Sequence, residues 1–255
     1  MILSLPTKVA QGYKSASQKA RVMTEAWALT NMYCPACISN RLKGTPTGTE
    51  AIDFVCPRCD SNFQLKAMSK TIGRKILDAG YDAMMRAMLE DRLPNFVLLS
   101  YCRHTLAVND LVLIPRFCLG SSAIEARKPL RSTARRAGWV GCNIVLDLVP
   151  PEGRIRVVRS GIVVPRTSVR KAFQRVKPLG EVSSKKRGWT LDVLTSLRSL
   201  EKQEFTLGEV YSFEDILARR HPENRHVRAK IRQQLQMLRD LGYLRFIERG
   251  RYAWV

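Results

Sequence analysis

Ala51-Ile52-Asp53-Phe54-Val55-Cys56-Pro57-Arg58-Cys59-Asp60-Ser61-Asn62-Phe63-Gln64-Leu65-Lys66-Ala67 is the stretch on which the reading of this chain turns. Residues 51–55 and 62–67 have strand character, with a Cys-x-x-Cys pair between them. In a strand, Gln64 and Lys66 share one face and Leu65 turns to the other, toward a core. If the two strands are neighbours, Asp53, Gln64 and Lys66 converge. Oxygen ligands of this kind suit magnesium. A magnesium ion neutralises charge developing on a phosphate and activates water, and an ammonium beside it adds positive charge at the same centre. The plain alternative is a strand ending in lysine at a solvated sheet edge.

Cys56-Pro57-Arg58-Cys59 repeats an earlier Cys34-Pro35-Ala36-Cys37. Two such turns, each supplying two thiolates, complete the tetrahedron of a four-thiolate zinc site at this spacing. A redox Cys-x-x-Cys is the rival reading, but redox motifs do not usually come as a pair. Four protein thiolates leave no open position, so the expected zinc is structural. The other three cysteines, Cys102, Cys118 and Cys142, read as buried or half-buried thiols. Seven cysteines, an odd number, argue against a disulfide framework.

The chain has 255 residues, room for one large or two smaller domains, and a formal charge of +21. Residues 183–255 carry 15 basic against 9 acidic side chains and the remainder 28 against 13, so both parts are basic. That is expected if both touch one long polyanion, although a ribosomal or membrane-surface protein would share the charge. With 45% hydrophobic residues, wholesale disorder is excluded. No apolar run is long enough to span a membrane. The opening Met1-Ile2-Leu3-Ser4-Leu5-Pro6 is short for a signal-peptide core, so the expectation is a cytoplasmic protein.

Along the chain, helical spacing predicts helices over 15–29 and 76–90, the first capped by Ser15 or Ser17. Apolar runs at 95–101 and 110–115 read as buried strands. Residues 155–158 and 162–164 around Ser160-Gly161 read as a hairpin. Ser183 to Gly188 reads as a linker. Helices follow over 190–201, 206–211, 213–220 and 224–241, with Gly242 as a helix stop, then a hairpin around Glu248-Arg249-Gly250. That order is the order of a winged helix.

The layout of Asp53, Gln64 and Lys66 is similar to that of the PD-(D/E)xK nucleases. Beyond that motif, the chain resembles the DpnI-like methyl-directed restriction endonucleases over nearly its whole length. The resemblance lies in Tyr13-Lys14-Ser15, the paired cysteine turns, Asp53-Phe54, Leu65-Lys66, Arg127-Lys128-Pro129-Leu130, Thr133 to Trp139 and Gly141-Cys142-Asn143-Ile144. It continues in Arg187-Gly188-Trp189-Thr190, Glu204-Phe205-Thr206-Leu207 and Lys230 to Gln236. It implies an α+β chain: a PD-(D/E)xK nuclease core, a mixed sheet flanked by helices with a four-cysteine zinc insertion, over 1–182, and a winged-helix domain over 183–255. It implies a prokaryotic enzyme that recognises GATC with methylated adenine and cuts both strands with Mg2+ or Mn2+. It makes Asp53, Gln64 and the Leu65 backbone carbonyl the ligands of the catalytic metal and Lys66 the catalytic lysine. Cys34, Cys37, Cys56 and Cys59 become the zinc ligands.

One departure stands out. Gln64 occupies the place of the usual glutamate. Its amide can ligate a metal but brings no charge and cannot act as a base. Glu25 would compensate if the first helix packs beside the site; otherwise it is a solvated helix residue. The alternative to a working nuclease is thus a weakened or inactive methyl-adenine DNA-binding protein. A transcription regulator with zinc and a winged helix fits the charge but leaves Asp53 and Lys66 unexplained.

The expected DNA readers are Arg228, Arg232, Gln233 and Gln236, which fall away from a buried stripe of Val227, Ile231, Leu235 and Leu238. Arginine suits guanine and glutamine suits adenine. Each residue also fits an ordinary solvated face. Arg249 and Arg251 would touch phosphates from the wing. Trp139, after Arg135-Arg136, would stack on DNA or pack in the core. The expected chain is a monomer with no membrane partner; a single site would cut two strands in turn or pair transiently with another copy.

Overall fold

The computed structural model describes residues 1–46, 49 and 51–255. Residues 44–49, rich in glycine, threonine and proline and so expected to be a loop, lie partly outside the described residues. The strands are β1 (Lys43–Gly44), β2 (Phe54–Val55), β3 (Asn62–Met68), β4 (Lys75–Gly80), β5 (Asn95–Tyr101), β6 (Val108–Ile114), β7 (Ile124–Ala126), β8 (Gly141–Val145), β9 (Ile155–Arg159), β10 (Ile162–Val163), β11 (Glu204–Thr206), β12 (Leu244–Glu248) and β13 (Arg251–Trp254). The α-helices are α1 (Ala16–Asn31), α2 (Tyr81–Leu89), α3 (Arg166–Val176), α4 (Ser184–Arg198), α5 (Leu207–Tyr211), α6 (Glu214–Arg220) and α7 (Val227–Asp240). Among the described residues no helix is long and apolar enough to cross a membrane.

The main sheet is mixed, in the order β1-β2-β3-β5-β6-β9-β10. Its single parallel pair is β3 with β5, Gln64 opposite Phe96 and Lys66 opposite Leu98. A parallel pair needs a crossover, supplied here by residues 69–94 with β4 and α2. All seven residues of β5 are buried, which explains why residues 95–101 read as one continuous apolar run. Helix α1 packs against β3, and α3 packs against β9. The β9–β10 turn has positive φ at Ser160 and Gly161, the two-residue reversal whose twist suits a hairpin. Cys118 and Cys142 are buried and Cys102 is half-buried.

Three expectations are corrected. Residues 76–90 are not one helix. Lys75–Gly80 is a strand paired antiparallel to β8, with Ile76 opposite Ile144, and only then does α2 begin. The apolar spacing fits either period, but Gly80 sits where a Cβ would meet Trp139, 3.4 Å from its Nε1. Residues 183–188 are not a linker either. They form the first turn and more of α4, and Arg187 and Gly188 are buried. The charge that suggested solvent is paired: the Arg187 guanidinium donates to the Asp91 carboxylate at 2.6 Å and to the Val182 carbonyl at 3.0 Å. The strand expected over 51–55 is shorter than read, since Ala51 has φ 56° and only Phe54 and Val55 are in regular pairing.

The C-terminal region packs α4 through α7 beside a sheet of order β11-β13-β12. Helix α7 buries Val227, Ile231, Leu235 and Leu238 as its spacing predicts, together with Gln234, which accepts a hydrogen bond from Thr190 Oγ1 at 2.7 Å. Gly242 follows α7 with φ 75°, the left-handed conformation of a helix stop.

Asp91 joins the two regions, since Arg116 also reaches it at 2.9 Å. Its burial alone would raise the carboxyl, but the Arg187 and Arg116 guanidiniums outweigh that and hold it below the usual aspartate range. A carboxyl depressed in the fold adds stability above its unfolded value, and that stability is lost as pH falls through the folded value. Asp91→Asn strands the buried Arg187 and should cost about 2 kcal/mol at neutral pH, below the ~3–5 kcal/mol of a fully enclosed pair because Asp91 is partly solvated. Urea unfolding of both proteins should show the gap closing as pH drops below the ordinary aspartate value.

Candidate active site and zinc centre

Strand β2 pairs antiparallel with β3, Phe54 opposite Phe63 and Val55 opposite Asn62. Asp53 precedes β2 and lies outside its regular pairing, since Phe54 already stands opposite the Phe63 to which Asp53 bonds. Asp53 donates its N–H to the Phe63 carbonyl at 2.9 Å. Its Oδ2 accepts the Leu65 N–H at 2.7 Å. Among the described residues nothing donates to Asp53 Oδ1, and the Gln64 amide has no hydrogen bond. The N–H and C=O of one strand residue point to the same side, so the Leu65 carbonyl faces the same edge as Asp53. Glu25 on α1 lies near enough that the Asp53 charge acts on it. Burial chiefly, with that charge, raises its carboxyl above the usual range, although Arg21, 3.5 Å away, works the other way.

The ammonium of Lys66 is bonded to Asp78 Oδ1 on β4. That carboxylate also accepts the Ala79 N–H at 2.8 Å, and its side chain is only 2% exposed. Asp78 was missed in the sequence because residues 76–90 suggested a helix. The alternation of exposed Lys75, buried Ile76 and exposed Leu77 shows only in the structure, because Ile76 and Leu77 are both apolar in sequence. Lys66 and Leu65 line an open cleft of about 1040 Å³, which Lys19, Lys70, Lys75 and Arg103 also line. Of the three expected residues Lys66 alone lines this cleft, with Asp53 reaching its neighbour Leu65.

The turn that joins β2 to β3 is the second cysteine pair. Cys34, Cys37, Cys56 and Cys59 bring their sulfurs within 4.8 Å of one another. Cys34 to Cys59 is 3.6 Å and Cys37 to Cys56 is 3.5 Å. A zinc held by four thiolates at ~2.3 Å spaces them about 3.8 Å apart, so these residues fit zinc. Backbone N–H groups of Ser39 and Arg58 donate to Cys37 and Cys56 Sγ, both at 3.4 Å. From far along the chain, Arg170 on α3 donates to the Cys34 and Ser39 carbonyls at 3.3 and 3.0 Å, and Gln174 to that of Ala36 at 3.0 Å.

The expected DNA readers are exposed, and several are engaged within the chain. Arg228 pairs with Glu214 at 2.6 Å and lies over Tyr211. Arg232 donates to the Tyr211 hydroxyl at 2.6 Å. Gln233 accepts from Lys230 at 2.7 Å. Gln236 and Arg249 are exposed, and Arg251 pairs with Glu204 and Glu248. In the loop before β8, Arg135 is exposed and Arg136 lies 4.5 Å over the half-buried Trp139 ring. That ring packs where a Cβ on Gly141 would come within 2.9 Å, so the tryptophan is seated on the sheet by a glycine notch.

These features define a two-part protein: a mixed-sheet region carrying a four-cysteine cluster that could hold zinc, followed by a helix-turn-helix. Residues 1–182 match the family model described as DpnI, Dam-replacing family, and residues 185–254 match that of the Dam-replacing HTH domain. The chain belongs to the Dam-replacing family. Membership implies a restriction endonuclease with a DNA-binding helix-turn-helix domain.

Removing zinc with a strong chelator, or Cys56→Ser, should lower the thermal midpoint by roughly 10 °C, on the order of 3 kcal/mol for a region of this size. Metal analysis of the untreated protein should find one zinc per chain.

Proposed function

We propose that this chain is a methyl-directed endonuclease of the PD-(D/E)xK type, with a nuclease domain over 1–182 and a winged-helix DNA-binding domain over 183–255. Its substrate is duplex DNA carrying methylated adenine in GATC, both strands of which it hydrolyses. The observation that carries this reading is the Asp53 carboxylate seated on the Leu65 N–H of β3, between Gln64 and Lys66 in sequence, while Leu65 and Lys66 line a cleft bordered by four further cations. Asp53 Oδ1, the Gln64 amide oxygen and the Leu65 carbonyl would hold Mg2+ or Mn2+, with Glu25 adding a second negative charge nearby. A bound divalent ion supplies Lewis-acid stabilisation of the phosphate and a more acidic water.

The remaining work falls to side chains. The Leu65 N–H fixes the Asp53 carboxylate in place. The Lys66 ammonium orients the attacking water and meets the charge that builds on the phosphate. Asp78 anchors that ammonium to β4 and so fixes where it points. The basic cleft positions the DNA backbone. Arg135, Arg136 and Trp139 would approach the DNA from the loop before β8. Arg228, Arg232, Gln233 and Gln236 would meet it from α7, and Arg249 and Arg251 from the wing. Adenine methylation places an apolar group in the major groove, where such a helix reads. Gln64 favours one second reading, a methyl-adenine binder with weak or no catalysis, because Asp53 is then the only carboxylate in the strand motif.

Wild type should cut methylated GATC duplex with Mg2+ or Mn2+, and Gln64→Glu should cut at lower metal concentration. Lys66→Ala should lose about 10²–10³ in kcat. A wild type inert with both ions beside an active Gln64→Glu would establish the binding protein instead. Asp78→Asn should lower kcat roughly tenfold with DNA affinity unchanged, and should have no further effect in a Lys66→Ala background, because the two act as one unit.

A further inference from the structure

A second cleft, of about 720 Å³, opens between the end of α2, the start of α4 and the turn that leads into α7. Part of its lining is apolar, with Met88, Leu89 and Trp189. The rest carries three ammonium groups, on Lys185, Lys186 and Lys230. None of the three has a carboxylate partner among the described residues. Lys230 donates only to the Gln233 amide oxygen. The two other basic groups there are already engaged, since Arg220 and His221 both bond the buried Asp192 carboxylate, at 3.2 and 2.7 Å. Glu223 is the one acidic residue in the lining.

We propose that this cleft binds the phosphodiester backbone of DNA between the helix-turn-helix and the sheet domain, with Lys185, Lys186 and Lys230 as its cation cluster. The inference rests on the reading of the chain as a DNA-acting protein. Three like charges gathered in one cleft repel one another, and an anion converts that repulsion into attraction. Burial first, and then the Lys186 and Lys185 charges, already pull the Lys230 ammonium below the ordinary lysine range. Helix α4 adds to the same field: no side chain caps it, and its first turn holds two lysines and no acid, the reverse of what its dipole favours. A phosphate satisfies both. The occupant is DNA because Lys230 stands on α7 itself and His221 to Asn224 form the turn before it, so a duplex held by α7 passes this cleft.

The test uses the full chain and duplex DNA without divalent metal. Amine-reactive labelling, read by peptide mass, should find all three lysines protected by duplex. Changing them together to glutamine should reduce the slope of log K against log salt by at least about 0.9, the value for one phosphate, while preserving the preference for methylated over unmethylated duplex. The same variant without DNA should melt no lower than wild type, because it loses repulsion. Glu223→Gln should tighten binding. Unprotected lysines with an unchanged slope overturn the proposal, even in a protein that cuts methylated DNA. Protection and a reduced slope in a protein that never cuts uphold the cleft and sink only the nuclease reading. Protection by inorganic phosphate but not by duplex would show a small-anion site and overturn the DNA assignment.

Discussion

The pairing of β2 with β3 is short, and much hangs on it. Only Phe54 and Val55 pair regularly with Phe63 and Asn62. A two-residue strand is a weak element by itself. Its turn, however, carries Cys56 and Cys59, which meet Cys34 and Cys37 from the other side. A metal held by all four would close the hairpin from its end. The opposite end sets the Asp53 carboxylate on the Leu65 N–H. A slip of one residue would turn Asp53 to the other face. The thiolate cluster and the carboxylate site are thus two ends of one register, and α3 braces the arrangement through Arg170 and Gln174.

Charge follows a second rule in this molecule. The two most enclosed cation pairs tie elements together, and other cations gather where a polyanion would lie. Arg187 is enclosed with Asp91, and Lys66 with Asp78. Desolvation makes an unpartnered charge costly, so these pairs hold elements together: α4 to the end of α2, and β4 to β3. By contrast, Lys19, Lys70 and Arg103 border one cleft, beside Lys75 paired with Glu125, and Lys185, Lys186 and Lys230 border another. Several expected readers on α7 lie between these extremes. Arg228 and Arg232 rest on Tyr211 and Glu214, so meeting DNA exchanges one polar contact for another. That exchange tends to refine selectivity more than affinity, because the contacts given up offset those gained.

What the amino-acid order determined by itself was whatever has a short-range physical code. The two Cys-x-x-Cys pairs are legible because a tetrahedron of thiolates demands that spacing. The buried run 95–101, the Ser160-Gly161 reversal, the α7 stripe and the Gly242 stop are legible because period and backbone preference are local properties. That Asp53 meets β3 was legible as a conditional, since it needed only that the two flanking segments be neighbours, and its carboxylate takes the Leu65 N–H. The tertiary structure alone decided the rest. Asp78 found Lys66 across a strand boundary that helical spacing concealed, and Arg187 became an interior residue only because Asp91 waits on another element. In each case a charged side chain's fate depends on a partner distant in the chain, and no local pattern encodes a partner.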